Sequence, residues 1–486
     1  MAITKNPGMK DLRGDSRRTF LKLVGAAGAA FALERSKVLN YLLDEGGSAL
    51  ADSGACSKVC RSVHVIGGNG SVAWFQLLWP HLDVANTTDP GKQAQFAYHS
   101  YDVPGTFYQP GGADKPFYYA PEAPWMEGGV PIRPVTAFMA GKNETHTQTP
   151  TTPAIVSNSS SMLATVASIQ RANPVLLPVI GVTPFNFGDA PGAPAFATVP
   201  SAQAMIELFN SSASQLTLAA QKDKQLYETY YKAVIGLREA AGRPTWSRYL
   251  DTTKTAANLL GRNLSGALTP SAMDLANYGV TGLASSALTG PGQDKMTSFA
   301  KNLIVTAKAF KLGLTNSVII GLSPGATSEV TFTDPHVVFT AGNKQLLKDT
   351  VKYLGQMLNA FYADLAASPD PACSGQTLDK STVFTVHGDT FHSPLQGDAW
   401  PDATPADSNW IYVMGCGYVR SGWFGGVRAD GKVDGFDPTT GQNVPGQSSQ
   451  QTSTPAGAAV AYAICKGDKN LVSAYYSGQP YTGIVV

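Results

Sequence analysis

Charge is scarce in this chain. Charged residues make up 15% of its 486 residues, and 36 Lys and Arg stand against 35 Asp and Glu, for a net charge of +1. No basic face follows from that balance, which argues against nucleic acid as a partner. Beyond residue 33 there is no apolar stretch of the roughly 20 residues that a bilayer-spanning helix needs, so no transmembrane span is expected in the body of the chain. No Gly-x-Gly-x-x-Gly follows a strand-like run, which removes the usual phosphate cradle of dinucleotide enzymes. Internal repeats are absent too, which excludes a solenoid or propeller.

Histidine and cysteine are also few, at seven and five. The cysteines are Cys56, Cys60, Cys373, Cys416 and Cys465. An odd number leaves at least one without an intramolecular partner. Cys56 and Cys60 are spaced for a local bridge, and Cys373 has either Cys416 or Cys465 as a partner. A zinc reading of Cys56-x-x-x-Cys60 lacks a second half of matching spacing. Glycine and proline, by contrast, are plentiful at 49 and 32. With apolar residues still at 43%, that points to long ordered loops around a core rather than to disorder.

The leader is distinctive. In Ser16-Arg17-Arg18-Thr19-Phe20-Leu21-Lys22 two adjacent arginines stand just before a short, Gly- and Ala-diluted apolar run, Leu21 to Leu33. A basic region followed by a short apolar region is a targeting segment, not a fold element. It resembles the twin-arginine export signal. That resemblance implies transport of the folded chain by the twin-arginine translocation machinery to the periplasm or the cell exterior. It also raises the expectation of a metal or cofactor loaded before export. Ala30-Phe31-Ala32 and Ala49-Leu50-Ala51 both offer small residues for cleavage. Residues 1–51 therefore read as signal and linker, and 52–486 as a single large α/β domain.

Along that domain, Val63-His64-Val65-Ile66-Gly67-Gly68 is an apolar run ending in glycines, a buried strand feeding a loop. Ser71 to Leu78 reads as a helix and residues 86–135 as a long loop region. Ser161 to Arg171 reads as a helix, Val175 to Val182 as a strand and residues 183–200 as loop. Ser201 to Phe209, Gln215 to Ala241, Thr245 to Arg262 and Lys295 to Leu312 all read as helices, a helical insertion over about 201–312. Strand character returns at Ser317 to Leu322. Asn343 to Ala367 is a long amphipathic helix, Ser381 to Val386 and Asn409 to Met414 are strands, and a final helix runs near Thr454 to Cys465. Strands alternating with helices predict a mostly parallel sheet with helices on both faces. Ligand sites on such sheets lie at the carboxyl ends of the strands.

The chemistry-bearing residues cluster at such places. Asp334-Pro335-His336 follows the strand-like run Glu329 to Thr333. His387-Gly388-Asp389-Thr390-Phe391-His392 follows the run ending at Val386. His146 sits in a polar loop, and Asp398, Asp402 and Asp407 lie further on. Carboxylates and imidazoles converging at strand ends suit a divalent metal such as zinc, manganese or calcium. A metal pair activates an oxygen nucleophile and stabilises a leaving oxygen.

The order of these features resembles the exported bacterial proteins grouped as a domain of unknown function numbered 1501, a sulfatase-like branch of the alkaline phosphatase superfamily. Gly67-Gly68-Asn69 resembles that family's Gly-Gly-Asn-Asp loop, and Asp334-Pro335-His336 its Asp-Thr-His. The helix through Phe361 to Leu365 and the strand Thr382 to Val386 resemble the run into its Ser-Glu-Phe-Gly-Arg motif. Gly415-Cys416-Gly417-Tyr418-Val419 to Gly425 resembles its late glycine-rich loop. The resemblance implies an alkaline-phosphatase-like fold and a phosphate or sulfate ester hydrolase. Its metal ligands would be Asp334, His336, His387 and Asp389, with His146 or His392 as auxiliaries and Ser71 or Thr390 as nucleophile. The chain departs from the family at Gly70, at His387-Gly388-Asp389-Thr390 and at Asn409-Trp410, where the family has Asp, Glu-Phe-Gly-Arg and Asp-His. Two readings therefore stand: a hydrolase with a remodelled site, or a non-catalytic exported protein that keeps the fold and binds a partner or packs into an envelope assembly. Loops such as Phe117-Tyr118-Tyr119 and Trp125 would suit the second.

Overall fold

The computed structural model describes residues 56–67, 135–142, 155–157, 159–173, 175–182, 185–210, 264–288, 290–322, 344–389, 408–427, 433–447 and 449–486. The strands are β1 (Arg61–Gly67), β2 (Thr136–Lys142), β3 (Ile155–Ser157), β4 (Ser160–Ser161), β5 (Leu177–Val182), β6 (Ala197–Val199), β7 (Thr315–Leu322), β8 (Thr382–Asp389), β9 (Ser408–Met414), β10 (Gly422–Phe424), β11 (Gly426–Val427), β12 (Val433–Phe436) and β13 (Asn443–Pro445). The helices are α1 (Met162–Gln170), α2 (Ala202–Leu208), α3 (Leu264–Leu268), α4 (Ala272–Asn277), α5 (Gly290–Lys311), α6 (Lys344–Ala366), α7 (Ser449–Ile464) and α8 (Lys469–Ser473).

Eight strands form one sheet in the order β10-β2-β9-β8-β1-β7-β5-β6. Pairing is parallel from β8 through β1, β7 and β5 to β6, and between β2 and β10. Strand β9 runs antiparallel to both of its neighbours. The protein is thus α/β with a mostly parallel mixed sheet. A small antiparallel sheet, β11-β12-β13, stands beside it.

Helices cover both faces, as parallel strands require. On one face α1 packs against β5 and β7, and α7 packs beside it against β2 and β9. Eight of the nine residues of α1 are buried, so it carries no polar face. Its N-terminus is fixed by Ser161, whose Oγ accepts from Ala164 N at 3.1 Å and donates to Phe187 O at 2.7 Å. Helix α7 presents Ala456, Ala458, Ala459, Ala461 and Ala463, all buried, and these small side chains let it approach β2 closely. On the other face α5 buries Met296, Phe299, Ala300, Leu303, Ile304, Ala307 and Phe310 at helical spacing, and α6 buries Leu354, Met357, Leu358, Phe361 and Leu365. Phe384 of β8 meets Phe361 and Tyr362 of α6 there. Val383, one residue earlier, belongs to the core under α1 and α7, as strand alternation demands.

By chain contacts the sheet, with its covering helices, belongs to a unit of Leu50–Ala202 and Pro270–Val486. Helix α5, the last helix of the expected insertion, lies in that unit and touches β7. Of the other unit, the described residues are 203–210 and 264–269.

Several boundaries differ from the sequence expectation for physical reasons. Strand β6 falls within residues read as loop, because a three-residue edge strand is too short to show periodicity. Strand β2 follows a Pro- and Gly-rich stretch, and the strands of the β11-β12-β13 sheet are only two to four residues long, too short to show a period of two. Helix α7 begins before its Pro455 rather than close to it. The strand expected to end at Val386 continues to Asp389, held by parallel pairing to β1 and antiparallel pairing to β9. Residues 1–55, with Arg17, Arg18 and both cleavage candidates, lie outside the described residues, as do the helices expected over 71–78, 215–241 and 245–262, the strand expected over 329–333 and the aromatic loops at 117–125. Among the described residues no helix is long and apolar enough to cross a membrane.

Candidate functional site

Four neighbouring parallel strands, β8, β1, β7 and β5, end at Asp389, Gly67, Leu322 and Val182. Strand β1 is the centre of this group. Strands β7, β5 and β6 lie on one side of it and β8, β9, β2 and β10 on the other. A reversal of strand order of this kind opens a crevice beyond the carboxyl ends, where α/β sheets bind ligands.

Two expected site residues reach that edge on described backbone. His387 pairs with Ile66 of β1 and with Ile411 of β9, and Asp389 pairs with Trp410. A register irregularity separates them. They are the last positions of β8 rather than members of the loop beyond it. The segments continuing from the other strand ends carry Ser71, Asp334 and His336, and Thr390 and His392 follow β8 directly. Those five residues and His146 lie outside the described residues. Among the described residues no three His, Cys, Asp or Glu side chains gather as a metal site. An aromatic wall borders the end of β5, which composition alone did not signal. The Phe185 ring lies over Gly181, where a Cβ would sit 2.2 Å from it, and Phe196 contacts both Phe185 and Phe187.

Below the edge, the middle of the sheet is polar on the α1 side. His64 is fully buried, and its Nδ1 lies 2.7 Å from Thr385 Oγ1. Ser62 Oγ donates to Ser317 Oγ at 3.0 Å. Gln170 Nε2 donates to Cys60 O at 2.8 Å and to Ser62 Oγ at 3.1 Å. Asn173 Nδ2 donates to Asn316 Oδ1 at 2.7 Å, and Asn316 Nδ2 donates to Gln170 O and Asn173 O. These side chains tie the end of α1 to the starts of β1 and β7.

The amino end of the sheet is fastened more strongly still. Arg61 is 1% exposed, and its Nη1 donates to Asp370 Oδ1 at 2.6 Å. Asp370 also accepts from Ser381 Oγ at 2.5 Å and from Ala372 N at 2.8 Å. Burial alone would raise the Asp370 carboxyl, but the Arg61 guanidinium and these hydrogen bonds outweigh it and hold the group below the usual carboxylate range. Cys56 bridges to Cys373, with their Cα atoms 4.1 Å apart. The expected Cys56–Cys60 bridge is not formed. Ser57 N donates to Ala372 O and Cys60 N donates to Ile464 O, so the two cysteines are drawn toward different elements. Cys373 accordingly pairs with neither Cys416 nor Cys465, which remain thiols along with Cys60.

No protein-family model matches the chain, and neither a curated protein nor a solved structure was found to match it.

Proposed function

We propose that this chain is exported through the twin-arginine route and acts outside the cytoplasmic membrane as a metal-dependent hydrolase of phosphate or sulfate esters, on an alkaline-phosphatase-like scaffold with a remodelled site. The observation that carries this reading is the end of β8. It brings a histidine and an aspartate, His387 and Asp389, to the carboxyl edge of the parallel strands, beside the end of β1. The donors fit the group: imidazole nitrogen and carboxylate oxygen suit zinc-like ions, and carboxylates suit manganese and calcium. His387 and Asp389, with Asp334 and His336 from the segment after β7, would hold the metal. Bound there, it would supply charge for the leaving oxygen and activate an oxygen nucleophile. Ser71, beyond β1, or Thr390, beyond β8, would provide that oxygen. His146 or His392 would serve as an auxiliary ligand.

The test is metal content by plasma mass spectrometry on protein recovered after export, alongside Asp334→Ala with His387→Ala, and a screen of chromogenic phosphate and sulfate esters. Stoichiometric metal that the double variant loses is the expected result. A folded wild type without metal overturns the hydrolase reading and leaves a fold reused for binding.

A further inference from the structure

A second pair of sulfur atoms meets next to the bridged pair. Cys60 directly precedes β1 and is 1% exposed. Cys416 lies in the turn between β9 and β10 at φ 55°, a left-handed conformation uncommon for any residue but glycine. The turn is closed by Tyr418 N donating to Gly415 O at 3.0 Å. Its Sγ reaches inward to within 3.0 Å of Thr382 O and 3.8 Å of Asp379 O. Thr382 opens β8 and pairs with Arg61, the residue after Cys60. The two thiols therefore converge at the start of β1 from distant parts of the chain, and Cys60 hydrogen-bonds Cys416. Donating to Cys416 and being buried raise the Cys60 thiol well above its ordinary value, while accepting that bond holds Cys416 below its own. The Lys466 ammonium, anchored to Ser57 O at 2.8 Å, favours the thiolate at both. Cys465 is the odd thiol, pushed up to about 12 by burial and by Asp468.

We propose that Cys60 and Cys416 are an oxidisable dithiol that closes a second disulfide beside Cys56–Cys373 when it meets a disulfide-bearing oxidant, such as glutathione disulfide or a thiol–disulfide exchange protein. The half-buried Cys416 is the attacking thiolate. Its sulfur forms a bond to one sulfur of the oxidant and expels the other as a thiolate, which takes up the proton Cys416 gave to solvent. Cys60 then loses its proton, attacks Cys416 Sγ and expels the second thiolate, which is protonated in turn. Two protein thiols are oxidised to one disulfide, and one oxidant disulfide is reduced to two thiols. The new bond fixes the turn after β9 to the foot of β1. The chain's end is drawn in as well, because Val419 bridges to Val485.

The test uses the full folded chain equilibrated with glutathione disulfide. Remaining thiols are blocked with N-ethylmaleimide, and the protein is digested without reduction and mapped by mass spectrometry. The expected product is a Cys60–Cys416 linked peptide pair, with blocked thiols falling from three to one, at Cys465. Cys465→Ala should form the same bond. Cys416→Ser should lose it and leave Cys60 blocked, and its melting curve reports whether that variant is folded. The wild-type map decides alone if it is not. Three blocked thiols, both in folded protein and in protein refolded in the same couple, overturn the proposal. So does a Cys60–Cys465 linkage or glutathione retained on Cys416.

Discussion

The two ends of the central sheet are built differently. At the amino end, β1, β7 and β8 begin among a disulfide, a buried ion pair and a row of buried amides and hydroxyls. At the carboxyl end the same strands run out into segments that carry Ser71, Asp334, His336, Thr390 and His392. The difference teaches a division of labour. Among the described residues the fastening groups lie where no ligand is expected, so the opposite edge can vary its residues without the sheet coming apart.

Breaking the fastened end should have the largest effect. Asp370→Ala leaves the Arg61 cation buried without its carboxylate and should cost about 3–5 kcal/mol in denaturant unfolding. Metal content of the folded fraction should stay unchanged. Cys373→Ser removes the bridge to Cys56 and should cost about 2–5 kcal/mol, read as a lower melting temperature. Asn316→Ala strips a donor from Gln170 O and Asn173 O and an acceptor from Asn173 Nδ2, and should cost about 1–3 kcal/mol. Substitutions at the carboxyl edge should be mildest: Asp389→Ala should change stability by no more than about 0.5 kcal/mol, and on the proposed function it should abolish metal retention. If Asp389→Ala unfolds the protein as Asp370→Ala does, the contrast between the ends fails.

Acid sharpens the same comparison. The Asp370 carboxyl is depressed in the folded chain, so its contribution is present above the unfolded value of about 3.9 and is lost as pH falls through the folded value. Lowering pH from about 5 toward 2 should therefore destabilise the wild type more than Asp370→Asn, in parallel urea titrations. Equal slopes would mean that another group governs acid unfolding.

The sheet's core strands were legible in the sequence because Val63 to Ile66, Val318 to Ile320 and Val383 to Val386 are buried on both faces and leave mostly apolar runs, broken only at His64 and Thr385. Helices α5 and α6 were legible because their apolar residues repeat at helical spacing. The edge pieces were not. Strand β2 follows a Pro- and Gly-rich stretch, and β6 is held by one neighbour only. Of the candidate site, His387 and Asp389 were placed at a strand's end, but their membership of β8 depends on pairing with β1 and β9, which no local pattern encodes. The disulfide partner of Cys56 was hidden for the same reason. Its choice is set by Ser57 meeting Ala372, a contact between residues far apart in sequence. Arg61–Asp370 likewise joins residues 309 apart.

That long reach bears on synthesis. Strand β1 is the first of the described strands, yet both of its neighbours in the sheet, β7 and β8, come from far later in the chain. Cys56 and Cys373 are 317 residues apart, a stretch that takes roughly 15–60 s to make at about 5–20 residues per second. Through that interval an apolar strand waits unpaired, open to chaperones and to stray edge pairing. The centre of the sheet is complete only when β7 and β8 have both reached β1, so a ribosome-bound fragment that stops short of β8 should have no finished centre.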